Sequence, residues 1–144
     1  MANLHNSSLE IGRDPLTIEN LVFAAKKQIE ARLSKSDEFE KKIKKGAAFL
    51  DDALDKHNVI YGISTGVGDS CNEKINPDSY RELPINITRM HGVGMGDYFD
   101  SEMTRSLMIV RLNTLAQGFS GVSLEMLQFI DFFISNDILP LIPQ

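Results

Sequence analysis

Two residues in this chain combine reactive side chains with surroundings suited to using them. Tyr61 heads the run Tyr61-Gly62-Ile63-Ser64-Thr65-Gly66-Val67-Gly68. His91 lies in Met90-His91-Gly92-Val93-Gly94-Met95-Gly96. Glycine admits positive φ and lets backbone come close to a ligand, which points to Gly62 and Gly68 as places of close approach. A tyrosine on such a loop can exchange a proton with a substrate. A free phenol holds its proton to about pH 10, so this role needs hydrogen bonds or positive charge nearby. Read as ordinary structure, Tyr61 is a half-buried aromatic at a strand end, and His91 is a core or helix-end histidine.

Other chemistries fit less well. Gly66-x-Gly68 has Cys71 where a dinucleotide-binding loop needs a third glycine, and Gly92-x-Gly94-x-Gly96 has the wrong spacing. No Gly-Lys-Ser/Thr occurs, so there is no phosphate-binding P-loop. His5, His57 and His91 are far apart and lack carboxylate or cysteine partners at metal spacing, so no metal is expected. A Cys71 nucleophile with His91 as its base has no supporting spacing.

Mostly helical elements must position these residues. Met1 to Arg13 reads as an extended lead-in with a short strand at Leu9-Glu10-Ile11. Thr17 can cap a helix reaching about Leu33, with Ile18, Leu21, Val22, Ala25, Ile29 and Leu33 on one stripe. Ser36 can cap a second helix, striped by Phe39, Ile43, Ala47, Leu50 and Leu54 and closed by His57-Asn58. Val59-Ile60-Tyr61 leads extended into a loop that spans 59–77. A further helix is expected from near Asp78, bent or restarted at Pro84. Asp100 or Ser101 caps a helix to Gln117, with Gly118 beyond its end. Met103, Leu107, Met108, Ile109, Val110, Leu112 and Leu115 cover much of that helix, a pattern of burial in an assembly. Ser123 caps another helix, in which Phe129, Phe132 and Phe133 widen the face of Leu124, Leu127, Ile130 and Ile134. The final run from Ile138 to Gln144 is extended and apolar, which reads as truncation or as a segment that needs something after it.

The 144 residues suffice for one core, and 42% hydrophobic with 24% charged residues is ordinary globular composition. A net charge of −5 argues against a nucleic-acid partner. The basic run Lys41-Lys42-Ile43-Lys44-Lys45 reads as a solvated helix face. Cys71 is the sole cysteine, so no internal disulfide can form. Neither a secretory signal nor a membrane span is legible, which points to the cytoplasm and no membrane partner. The sequons at Asn6 and Asn86 are read as chance matches.

Four ordered segments carry a resemblance. Tyr61 to Gly68 resembles the Tyr-Gly-x-x-Thr-Gly-x-Gly loop of the aromatic amino acid ammonia-lyases, the family that includes histidine ammonia-lyase. Arg89 to Gly96 is similar to their Arg-Ser-His-x-x-Gly-x-Gly segment. Arg111 to Val122 resembles their Arg-x-Asn-x-Leu-x-x-Gly-x-Ser-Gly helix end, and Asn136 to Pro143 their Asn-x-x-x-x-Pro-x-x-Pro run. Order and spacing agree over Tyr61 to Gln144, while the first sixty residues match only in helical character.

The resemblance implies a mainly α protein, the N-terminal helical portion of the fumarase/aspartase-like ammonia-lyase fold with short extended segments. It implies that residues 1–144 carry the tyrosine loop (59–77) and the substrate-side-chain segment (89–96). Ammonia would be eliminated from histidine or another aromatic amino acid, leaving an α,β-unsaturated acid. Tyr61 would move the proton. His91 would contact the substrate side chain, with Met90 beside it making the pocket more apolar than the family's usual serine. Relatives acting on phenylalanine tend to be apolar at the His91 position, so histidine or tyrosine is implied, histidine slightly favoured. Val67 stands where phenylalanine or tyrosine is common. Arg89 would support the His91 segment, Arg111 would be a structural helix residue, and Asn113 an internal hydrogen-bonding one.

The family's electrophile is a methylidene-imidazolone formed from an Ala-Ser-Gly tripeptide just past the Pro-x-x-Pro run. That places it beyond Gln144 and makes this chain roughly the first quarter of such an enzyme, expected to be inactive alone. The family forms homotetramers with sites shared between subunits. Alternatives are a tyrosine ammonia-lyase or tyrosine 2,3-aminomutase, and, in another class, a non-catalytic helical interaction module.

Overall fold

Leu9 and Ile11 alternate with polar neighbours, and that pattern forms strand β1, Ser8–Ile11, with both apolar residues buried. A computed structural model describes residues 8–80, 82–92 and 94–144. His5, the Asn6 sequon and the first part of the expected lead-in lie outside them. Helix α1, Ile18–Ala25, starts at Thr17 as expected, its Oγ1 accepting the Asn20 N–H at 3.2 Å.

The expected continuation of this helix to Leu33 is wrong. Lys27 turns left-handed (φ 58), and the Gln28 N–H closes back on the Phe23 carbonyl at 2.9 Å. Strand β2, Glu30–Leu33, follows and pairs parallel to β1, with Leu9 opposite Ala31 and Ile11 opposite Leu33. Its burial alternates with period two, exposing Glu30 and Arg32 and burying Ala31 and Leu33. The proposed helical stripe also fails at its start. Ile18 is 78% exposed and Val22 is exposed, while Ala24 and Ala25 face inward.

Helix α2, Asp37–Asp55, begins at Ser36, whose Oγ accepts the Phe39 N–H at 3.2 Å. Phe39, Ile43 and Ala53 are buried. His57 closes the helix in a left-handed turn (φ 55), the helix-end role expected of it. After the loop, Pro77–Ser79 forms one 3-10 turn, and α3 covers Glu82–His91. Pro84 sits in the first turn of α3, where N–H groups have no intrahelical acceptor, so it costs no hydrogen bond.

Helix α4, Ser101–Leu115, is capped by Asp100, and α5, Leu124–Ser135, by Ser123. Helix α4 packs on α1 and α5, while α5 also packs on β2 and α2. The Leu33 N–H donates to Asp131 Oδ1 at 2.8 Å, tying β2 to α5. Leu9, Ile11, Ile43, Ile109, Leu112, Leu115 and Leu127 form the centre of the core. Met103, Leu107 and Val110 of α4 and Phe129, Phe132 and Phe133 of α5 remain exposed. The C-terminal run is not a free tail. Phe99 N–H donates to Ile142 O at 2.9 Å and Gln144 N–H to Asp97 O at 2.8 Å, although Leu141 stays exposed.

Candidate active site

The tyrosine loop is a short hairpin resting on two buried hydroxyls. The Gly66 N–H donates to Glu73 O at 3.1 Å and the Ile75 N–H to Ser64 O at 3.0 Å, so 64–66 lies antiparallel to 73–75. The tip is a 3-10 turn at Gly68–Ser70. Gly62 (φ 71) and Gly68 (φ 60) take left-handed conformations, where a Cβ would be strained. Gly66 is required for space, since a Cβ there would meet the Ser70 carbonyl oxygen at 2.6 Å.

Tyr61 stands out of this frame, 65% exposed. Its hydroxyl oxygen accepts the Gly68 N–H at 3.2 Å. The two loop glycines therefore serve the tyrosine differently. Gly62 turns the chain directly after it, and Gly68 presents an amide to its oxygen.

In the same loop, Ser64 is 7% exposed and Thr65 is 1% exposed. Ser64 Oγ accepts the Ile60 N–H at 2.7 Å and donates to the Asn58 carbonyl at 3.1 Å. Thr65 Oγ1 accepts the Gly62 N–H at 3.2 Å and donates to the Gly66 carbonyl at 3.0 Å. Neither residue is among the candidates named from the sequence, although Thr65 is the fixed threonine of the Tyr-Gly-x-x-Thr-Gly-x-Gly loop. The available signal was two hydroxyl side chains in a glycine-rich loop, where such groups satisfy backbone.

His91 is the last residue of α3 and not part of the following glycine loop. Its Nδ1 lies 2.9 Å from the Ile87 carbonyl oxygen. A carbonyl only accepts, so Nδ1 carries the hydrogen and, in the neutral ring, Nε2 is left as an acceptor. Met90 and Arg89 beside it are exposed. Among the described residues no ion pair holds Arg89. Val93 of this segment lies outside the described residues.

Among the described residues no hydrogen bond joins Tyr61 to His91. The tyrosine hydroxyl meets Gly68, and the imidazole meets Ile87. A hollow of about 560 Å³ at the foot of the loop is lined by Ile60, Ile63, Phe49, Leu50 and Phe119, among others, and by neither candidate. Cys71 is half-buried and, among the described residues, has no hydrogen bond to His91. Among the described residues no group of three or more His, Cys, Asp or Glu is arranged to hold a metal ion. No helix of these residues is long and apolar enough to cross a membrane.

A family model described as aromatic amino acid lyase matches residues 16–144. A histidine ammonia-lyase of Staphylococcus aureus is 35% identical over 137 residues, covering 95% of this chain and 27% of the relative. Among solved structures, a tyrosine aminomutase from Streptomyces globisporus superposes with a TM-score of 0.86 at 26% identity, over 94% of this chain and 26% of that one. An ergothioneine-degrading ergothionase from Treponema denticola gives a TM-score of 0.84 at 27% identity, over 94% of this chain and 27% of its own. The chain thus spans about a quarter of the length of the proteins it matches.

Proposed function

The chain belongs to the aromatic amino acid lyase family, and from that premise we propose that it supplies the proton-transfer and side-chain-recognition groups of an ammonia-lyase acting on histidine or another aromatic amino acid. The observation that carries this reading is Tyr61, an exposed phenol on a loop whose backbone is tied down and whose oxygen is held by the Gly68 amide. Elimination of ammonia removes a weakly acidic β-proton while the amine departs. Tyr61 is the group proposed to take that proton.

His91 recognises the substrate ring. With Nδ1 committed to Ile87, Nε2 accepts a hydrogen bond, so the fitting side chain is a donor: an imidazole N–H or a phenol O–H. Met90 adds an apolar wall, and Gly62 and Gly68 allow the substrate to approach the backbone.

The family's methylidene-imidazolone supplies, when present, the electrophile that takes the amine. The one Ser-Gly pair of this chain, Ser120-Gly121, follows Phe119 rather than alanine. Gly121 turns left-handed (φ 65) against Leu50, whose side chain a Cβ would meet at 2.8 Å. That pair is a packing turn and does not fit as the source of the group, so these residues are proposed to be inactive by themselves.

The test is the intact gene product with Tyr61→Phe. Release of the unsaturated acid is expected to fall about 10²- to 10⁴-fold, with the circular dichroism spectrum unchanged. An unchanged rate overturns the role of Tyr61. The likeness to the Streptomyces globisporus tyrosine aminomutase favours a second reading, in which the amine is returned at the β-carbon. A β-amino acid product identifies it.

Assembly into a homotetramer in the cytoplasm is part of the same proposal. It is supported by the exposed Phe129, Phe132 and Phe133 of α5 and Met103 and Leu107 of α4, apolar surface that association would cover.

A further inference from the structure

We infer that Thr65 and Ser64 are positioning residues that set the direction in which Tyr61 points; this rests on the proton-transfer reading of Tyr61. Two peptide groups flank the Tyr61 Cα, and each is fixed. In the preceding one, the Ile60 carbonyl accepts N–H donors from Ile63 at 3.1 Å and Ser64 at 2.9 Å. In the following one, the Gly62 N–H donates to Thr65 Oγ1 at 3.2 Å. With both planes held, the Cα–Cβ bond of Tyr61 has one direction, and only the ring torsions remain.

The ties are secure because they are dry. Thr65 is 1% and Ser64 is 7% exposed, so water competes little for their hydroxyls. Each hydroxyl also uses its own hydrogen, Thr65 on Gly66 O at 3.0 Å and Ser64 on Asn58 O at 3.1 Å, so both act as donor and acceptor at once. Ser64 adds a second hold one residue upstream, on the Ile60 N–H at 2.7 Å. The loop glycines thus supply turns and close approach, while the two hydroxyls supply rigidity. A displacement of about 1 Å in a reacting group can cost a hundredfold in rate, so the clasp matters to the chemistry without touching the substrate.

The experiment compares Thr65→Val, which keeps the shape and removes the hydroxyl, with Thr65→Ser, which keeps the hydroxyl, in the intact gene product. Thr65→Val is expected to lower kcat by about 10- to 100-fold with KM within roughly threefold of the parent, and Thr65→Ser to restore kcat. Hydrogen exchange at the Gly62 amide is expected to speed up roughly tenfold in the valine variant only. This second readout needs no activity. Unchanged exchange and kcat in Thr65→Val overturn the clasp. Faster exchange with full kcat shows a structural tie without a positioning role, and also overturns it. If the valine variant does not fold, Ser64→Ala, which frees the Ile60 amide, takes its place. A lowered kcat with faster exchange at Ile60 supports the clasp, and parent values for both overturn it. Failure of the proton-transfer reading is seen separately, as a full rate in Tyr61→Phe.

Discussion

Arg105 reaches Asp137 from inside the fold, its Nη2 lying 2.6 Å from Oδ1, with the arginine buried and the carboxylate at the surface. Lys27 takes the other carboxylate oxygen from the solvent side. The same guanidinium donates through Nη1 to the Ala25 carbonyl at the end of α1. Lys27 and Asp137 both stand in left-handed turns (φ 58), so one carboxylate joins the closing turns of α1 and α5.

That arrangement makes stability depend on acid. The hydrogen bond from Lys27 and then that from Arg105 hold the Asp137 carboxyl below the usual carboxylate range. The folded group binds its proton less readily than the unfolded one, whose value is about 3.9. Its contribution is therefore complete above that pH and is lost as pH falls through the lowered value. We expect the urea midpoint of the parent to drop more between pH 7 and pH 3 than that of Asp137→Asn. An equal drop in both would remove Asp137 from the acid response.

Substrate choice should follow His91. In His91→Phe the Nε2 acceptor is gone, so the ratio of kcat/KM for histidine over phenylalanine is expected to fall roughly ten- to a hundredfold. The measurement uses the intact gene product with both amino acids in parallel. A ratio unmoved by the substitution would place ring recognition elsewhere.

Leu112 is the position where core packing is most directly tested. It is 0% exposed and belongs to the central cluster with Ile109, Leu115 and Leu127. Leu112→Ala is expected to destabilise by about 2–5 kcal/mol, read as a lowered denaturant midpoint with little change in slope. A cost below about 1 kcal/mol would mean the site collapses around the smaller side chain.

What could be read from residues alone was mostly local. Ser36, Asp100 and Ser123 were visible as caps because a cap and its amide lie three residues apart. Strand β2 was not, since Ile29 and Leu33 stand four apart and satisfy a helix, while the pairing that decides the matter is with β1, twenty-two positions back at Ser8↔Glu30. The same divide runs through the site. Residue type and glycine spacing marked Tyr61 and His91 as candidates. The tautomer of His91 and the clasp by Ser64 and Thr65 depend on which backbone groups the folded chain brings within reach. The C-terminal run looked uncovered because its partner, 97–99, is more than forty residues earlier in sequence.

That last pairing closes α4 and α5 into a ring of chain. Bringing Tyr98 to Pro143 costs loop-closure entropy, which the packing of the two helices between them offsets. The amides of Phe99 and Gln144 therefore serve as a native reporter. Their protection from exchange registers the completed hairpin, and any event that parts α4 from α5 unlocks them together.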